Sequence, residues 1–127
     1  MRNCNAKGVG SSAPTILSLS VPADDNYLED ENLDFTATFS EAVNVVGTPR
    51  IAITMDSGVV YANYVSGSGT AAILFRHVVT DTDLEATGID IATPIDLNGG
   101  SIKDLGGQNA VVSFTDPDLT GVLVNDT

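Results

Sequence analysis

Apolar and polar residues alternate strictly between Leu33 and Ser40, and this is the clearest pattern in the chain. A period of two residues is typical of a β-strand with one face in a core and the other in water. Glu41 is expected to break this strand, and residues 47–49 (Gly-Thr-Pro) have turn chemistry. The residues predicted to point inward, before and after that turn, are Leu33, Phe35, Ala37, Phe39, Ile51, Ile53 and Met55.

The rest of the chain repeats short apolar runs separated by turns. Further strands are predicted over residues 16–21, 59–65, 73–79, 89–97, 111–114 and 122–124, with a short segment around Ile102. No window shows the period of an amphipathic helix. Seven or eight short strands with turns about every 8–12 residues predict an all-β, immunoglobulin-like Greek-key β-sandwich. We assign residues 13–127 to this single domain and residues 1–12 to a flexible leader.

Composition limits the class of protein. The 127-residue chain carries 17 acidic and 5 basic residues, which gives a net charge of −12 at pH 7. Such a surface repels nucleic acid and anionic lipid, so we expect neither as a partner. Cys4 is the only cysteine, which excludes an intrachain disulfide and a thiolate metal site. No apolar run reaches the ~18 residues of a membrane span, and residues 1–12 lack the apolar stretch of a signal peptide.

The acidic residues are concentrated in two predicted loops, residues 22–32 and 80–88. Alternate loops of a seven-strand Greek-key sandwich share one end, and here that end also receives the turn at Asp56 and the C-terminal residues. Oxygen ligands without imidazole or thiolate favour calcium over zinc or copper, and a solvated acidic surface is the alternative. Ten of the 17 acids would gather at this end: Asp24, Asp25, Glu29, Asp30, Glu31, Asp56, Asp81, Asp83, Glu85 and Asp126.

Six of these carboxylates are the candidate calcium ligands: Glu31, Asp83, Glu85, Asp126, Asp24 and Asp25. Asp81, Asp83 and Glu85 have the spacing of the first EF-hand ligands. The glycine and the bidentate glutamate that complete such a loop are absent, so an EF-hand is rejected. Asp126 is expected to bind only when a following domain is present. Asp116 and Asp118, which flank Pro117, are interpreted as a bulge or edge-strand break.

A series of short motifs follows in order along the chain: Ala13-Pro14-Thr15-Ile16, Leu33-Asp34-Phe35, Thr38-Phe39-Ser40-Glu41, Gly47-Thr48-Pro49-Arg50, Ser66-Gly67-Ser68-Gly69 and Asn98-Gly99-Gly100. Together they resemble the immunoglobulin-like repeats of giant, calcium-dependent bacterial surface adhesins. By this resemblance, Asp30-Glu31 takes the place of the family's glycine–acid pair before the second strand. The family's Gly-Asp-x-Asp turn corresponds to residues 82–85 (Thr-Asp-Leu-Glu).

The resemblance implies that the chain is one unit of a tandem array on the outside of a bacterial cell. Residues 124–127 would then be the joint to the next unit. The implied function is that of a structural extender, a rigid spacer that holds a distal binding domain away from the cell. Calcium at the acidic end or at the joint would stiffen the array, and its partners would be neighbouring units of the same polypeptide. A rise in melting temperature with millimolar calcium is the corresponding expectation.

Two other classes of function are weighed against this one. A carbohydrate- or ice-binding module would need exposed aromatic residues, and the chain offers Tyr27, Tyr61 and Tyr64 but no tryptophan. An enzyme is not expected, because His77 has no recognisable serine or cysteine partner motif and the acidic loops have no aromatic cleft. We therefore predict no catalytic residue and no small-molecule substrate, and we interpret His77 as a core or edge histidine.

Overall fold

The alternating stretch forms the longest strand of the structure. A computed structural model describes residues 13–126, and the predicted leader, residues 1–12, lies outside the described residues, as does Thr127. Residues 13–126 form nine strands and no helix, and therefore no helix long and apolar enough to cross a membrane. The strands are β1 (Ile16–Ser20), β2 (Asp25–Tyr27), β3 (Asn32–Val46), β4 (Arg50–Met55), β5 (Gly58–Ser66), β6 (Thr70–Val78), β7 (Asp90–Ile91), β8 (Ser101–Asp104) and β9 (Val122–Val124).

One large antiparallel sheet contains most of these strands, in the order β1-β3-β6-β5-β4-β7. β8 pairs with the far half of β3, from Val43 to Val46. The first four positions match the A-B-E-D order of an immunoglobulin sheet, and β3-β6-β5-β4 is a Greek key. β4 continues this sheet beyond β5, and the sheet curls over itself. A small second sheet is formed by β2 and β9, which pair in parallel. The all-β sandwich without a disulfide is therefore confirmed.

The core lies between the curled faces of the sheet. The predicted inward residues of β3, which are Leu33, Phe35, Ala37 and Phe39, are at most 2 % exposed. Phe35 pairs across the sheet with Phe75, and Ile51 and Ile53 of β4 belong to the same buried cluster. Each fully buried side chain of this size contributes roughly 1.5–3 kcal/mol through the hydrophobic effect.

Glu41 does not end its strand, which corrects the prediction. β3 continues through Glu41 to Val46. What changes there is the pairing register, because Thr38 pairs with Ala72 and the next pair is Val43 with Thr70. The end of the strict alternation thus coincides with a shift of the ladder and not with the end of the strand.

Two predicted strands are shorter or less regular than expected. Beyond Ile91, the stretch 89–97 forms no regular strand. It makes separate main-chain bonds, from Ala92 N–H to Ala52 O, from Ile95 N–H to Val112 O and in a bridge between Asp96 and Arg50, and Pro94 has no N–H to donate. Residues 111–114 lie outside the regular strands, and the main-chain N–H of Phe114 donates to the side chain of Thr93. Conversely, the predicted loop 22–32 contains the strand β2.

The described chain enters and leaves the sandwich at opposite ends. Thr15 exchanges hydrogen bonds with Ser40, towards the far half of β3. At the other end, Asn32 opens β3 beside Val78, and the residues after β9 lie there too, since the main-chain N–H of Asn125 donates to Tyr27. Eight residue steps of about 3.3 Å separate Asn32 from Ser40, so the two ends are roughly 26 Å apart.

Candidate functional site

Four segments meet at the end where β3 begins, and we call this the acidic end: residues 22–32, 56–57, 80–88 and 122–126. Main-chain bonds join the first segment to Val79, the residue just before the third segment, because Asp30 N–H donates to Val79 O (2.8 Å) and Val79 N–H donates to Glu31 O (2.9 Å). Ser57 N–H donates to Leu84 O (3.1 Å), and Glu85 forms a bridge with Val124. The loops that the sequence predicted to converge therefore lie together.

Glu85 is the most completely bonded acid at this end. Its side chain is buried, at 4 % exposure. One carboxylate oxygen, Oε1, accepts from Asp56 N–H (2.9 Å), and the other accepts from the N–H (3.0 Å) and the hydroxyl (2.9 Å) of Thr87. The Asp56 carboxylate in turn accepts from Ala86 N–H. Glu85 thus ties the β4–β5 turn to loop 80–88, and its charge is stabilised by N–H and O–H dipoles.

Asp83 is also buried, and it faces the single histidine of the chain. Asp83 Oδ2 lies 2.7 Å from His77 Nε2 and accepts from Thr80 N–H at 3.0 Å. His77 follows Phe75 on the inward face of β6 and pairs across the sheet with Leu33, so it stands at the limit of the core. Its side chain is 13 % exposed, in agreement with the interpretation of a core or edge histidine.

Three other predicted ligands surround Tyr27 instead of one another. Burial, and then the charges of Asp25, Glu31 and Asp24, raise the pKa of the Tyr27 phenol above its usual value of 10. Its hydroxyl donates to Ala23 O at 2.7 Å. Glu31 accepts from Leu28 N–H, and Asp25 accepts from Asn26 N–H, so both carboxylates stabilise their own turns. Asp24 is exposed and packs against Gly121.

The exit of the chain is held by two asparagines that the sequence analysis did not single out. Asn26 and Asp126 form a reciprocal pair, in which the Asn26 amide donates to Asp126 O (2.7 Å) and accepts from Asp126 N–H (2.9 Å). The Asn125 amide donates to Thr80 O (3.1 Å) and Asp83 O (2.8 Å). In the sequence, only their position in or next to the acidic segments pointed to these two asparagines, because asparagines that bind main chain follow no recognisable spacing. Asp126 contributes main-chain atoms to these bonds, and no contact of its carboxylate is described.

Calcium binding at this end stays a prediction. Between residues 13 and 126, no three acidic, histidine or cysteine side chains are grouped as metal ligands. Calcium takes six to eight oxygen ligands, whereas the two buried carboxylates, Asp83 and Glu85, accept bonds from protein donors. The sequence therefore located the acidic end, and its six candidate ligands have different surroundings there. Asp83 and Glu85 accept bonds from loop 80–88, Asp24, Asp25 and Glu31 lie around Tyr27, and Asp126 bonds Asn26 through its main chain.

The acids around Pro117 have a local role. Asp118 accepts from the N–H (3.1 Å) and the hydroxyl (2.8 Å) of Thr120, and these bonds lower the pKa of its carboxyl. Residues 115–119 belong to no strand, which agrees with the expected break in pairing at this point.

The chain was compared with family models, with curated proteins and with solved structures, and no match was found in any of the three. The fold therefore rests on the structure itself, and the resemblance to adhesin repeats remains a prediction.

Proposed function

We propose that this domain is a structural extender unit of a large extracellular bacterial surface protein, joined in series to neighbouring units of the same polypeptide. The observation that carries the proposal is the position of entry and exit at opposite ends of the sandwich. Units joined in this way extend the array without the chain doubling back along a domain. Each unit then adds at least the ~26 Å of the ladder between its ends.

The long ladder between β3 and β6 supports a load-bearing role. Seven consecutive residue pairs, from Asn32–Val78 to Thr38–Ala72, run along the axis that joins the two ends. At the exit, β9 is paired with β2 and the following residues are bonded to loop 80–88. A force that pulls on the array would therefore have to break the hydrogen bonds at the exit before it could disrupt the core.

The ligand-binding alternative has less support, because Tyr27, Tyr61 and Tyr64 are all half-buried, whereas stacking on a sugar needs an exposed ring. The guanidinium of Arg50 lies 3.8 Å from the centre of the Tyr61 ring and covers one of its faces. The Tyr64 hydroxyl accepts from Ser68 N–H, and the Tyr27 hydroxyl donates to Ala23 O. A cavity of about 100 Å³ beside β1 is lined by Ile16–Leu19, Phe114 and Thr115, without a charged or titratable group.

The proposal includes an extracellular location, and it includes calcium only as a ligand shared between units. An acidic surface attracts divalent cations, and the described carboxylates of one unit do not form a ligand group by themselves. A shared site would need oxygen atoms from the next unit. Calorimetric titration of calcium into one unit and into two joined units separates these cases, and heat of binding in the joined form alone supports a shared site.

The proposal is tested with two copies of residues 13–127 fused in series, measured by small-angle X-ray scattering beside the single chain. We expect the maximum dimension of the fused pair to be nearly twice that of the single chain. The control is the same pair joined through about 20 glycine and serine residues, which behave as a flexible coil. A fused pair as compact as a folded-back dimer, or as variable in shape as the control, would refute the extender function.

A further inference from the structure

We propose that the acidic end is closed by a clamp made of the protein's own hydrogen bonds. In this clamp Asn125 fixes the exit of the chain, and the His77–Asp83 pair holds the loop that Asn125 grips, so the end is ordered without a cation. The inference deepens the proposed function by naming what would make the joint rigid. It concerns a single unit, so it can be tested apart from any array.

Asn125 connects three segments. Its main-chain N–H donates to Tyr27 O (2.9 Å) at the end of β2, and its amide donates to Thr80 O and Asp83 O in loop 80–88. Its φ of 48° turns the chain, and asparagine is among the few residues that adopt this conformation readily. One residue thus sets both the turn at the exit and its attachment to the two acidic loops.

The loop that Asn125 grips is itself anchored to the large sheet. Asp83 N–H donates to Thr80 O at 3.2 Å, and the Asp83 carboxylate accepts from Thr80 N–H at 3.0 Å. His77, on β6, bonds the same carboxylate at 2.7 Å. The His77 side chain is 13 % exposed and the Asp83 side chain is 6 % exposed. A bond between groups so well excluded from water holds the loop more firmly than one at the surface.

The reciprocal pair of Asn26 and Asp126 extends the clamp by one residue. It continues the parallel pairing of β2 with β9, which ends with Val124 beside Tyr27. The main chain therefore leaves Asp126 with its direction set by β2.

These bonds also explain how the end tolerates its charge. The four segments of the acidic end contain no lysine or arginine. Asp83 and Glu85 are instead stabilised by N–H donors and, for Asp83, by His77. Backbone N–H groups directed at a carboxylate stabilise its charge, which is the role a bound cation would otherwise have.

Hydrogen–deuterium exchange of the full chain tests the clamp. In the unaltered protein, we expect exchange in residues 80–88 and 122–126 to be equal in millimolar calcium and in excess chelator. The Asn125→Gly variant keeps the backbone turn and removes the amide, so exchange in both segments should be about tenfold faster. Asn98→Gly is the matched control, because Asn98 also has a positive φ (51°) and an amide bonded to a carbonyl (Thr48 O, 3.2 Å), but at the other end of the domain.

A second variant tests the buried pair. His77→Phe removes the partner of Asp83, and exchange in residues 80–88 should again become at least about tenfold faster. Exchange in β3 between residues 33 and 38 is read in the same experiment, so a general loss of the fold is told apart from a local opening.

Two results would overturn the clamp. One is protection of the acidic end in the unaltered protein that rises severalfold on adding calcium. The other is an Asn125→Gly variant that exchanges there no faster than Asn98→Gly. Neither result bears on the scattering of the fused pair, so the clamp and the extender function can fail separately.

Discussion

The two ends of the sandwich are closed by different means. At the acidic end, side-chain oxygen and amide groups bind the main chain of neighbouring loops, as Glu85 and Asn125 do. At the other end, the turns at 47–49, 66–69 and 98–100 meet through glycine. There a Cβ on Gly100 would lie 2.1 Å from Val46 O, and one on Gly67 would lie 2.1 Å from Ala72 O. The difference is one of degree, because a Cβ on Gly88 at the acidic end would also lie 2.5 Å from Thr120 Cα, and at the other end Asn98 also donates to Thr48 O.

The largest expected effect is at the glycine turns. Gly100→Ala places a Cβ against the main chain of Val46, which cannot move without disturbing β3. We expect the free energy of unfolding to fall by about 3 kcal/mol or more, measured by chemical denaturation. Gly106→Ala is the control, because its nearest contact would be an ordinary 3.4 Å from the Asp104 side chain, and it should cost less than about 1 kcal/mol. Equal losses in the two variants would show that close main-chain approach does not hold this end.

An intermediate effect is expected at the acidic end. Glu85→Ala removes the acceptor of the N–H groups of Asp56 and Thr87 in a partly buried place, and should lower the free energy of unfolding by about 1–2 kcal/mol. Glu41→Ala, at an exposed position on β3, should change it by no more than about 0.5 kcal/mol. If the two variants have the same denaturation midpoint, the Glu85 network does not stabilise the fold.

The smallest expected effect is on the pH dependence of stability, which differs between the two ends. At the end formed by the turns 47–49, 66–69 and 98–100, the hydrogen bond from Arg50 lowers the pKa of Asp96 below its usual 3.8. The stability this adds is complete above about pH 3.8 and is lost as the pH falls through the lowered pKa of the folded state. At the acidic end the pKa of Tyr27 is raised, so its contribution is complete below about pH 10 and is lost as the pH rises through the raised value.

Melting temperatures of two variants measure this difference. Asp96→Asn should flatten the acid limb of the stability profile and leave the alkaline limb unchanged. Tyr27→Phe should flatten the alkaline limb alone, although it also removes the bond to Ala23 O at every pH. Both contributions are small, because exposed charges are screened by water. An Asp96→Asn variant that changed the alkaline limb would contradict the assignment.

The sequence predicted best where a residue's surroundings depend on local periodicity. Leu33, Phe35 and Ile53 were placed in the core because alternation fixes which face of a strand is buried. It predicted less well where the pairing partner is distant. Residues 111–114 are as apolar as a strand, and Val111 and Val112 bond the main chain of Pro14 and Ile95. The N–H group of Phe114 donates instead to the side chain of Thr93, so no regular strand forms. Nothing in their own composition reveals that choice.

The acidic end illustrates the same limit at a candidate site. Strand order alone was enough to bring loops 22–32 and 80–88 together. Whether their carboxylates face a cation or protein donors depends on individual side-chain directions, which a spacing of two residues does not specify. Asn125 was missed because its importance comes from carbonyl groups more than 40 residues away in the chain.

The parallel pairing of β2 with β9 joins residues near the start of the described chain to residues near its end. During synthesis, β2 leaves the ribosome long before β9 has been made, so this contact cannot form until translation has passed Val124. The large sheet needs only residues 16–104 and can assemble earlier. The domain would therefore complete its exit last, and a growing chain of such units would mature one after another in the direction of translation.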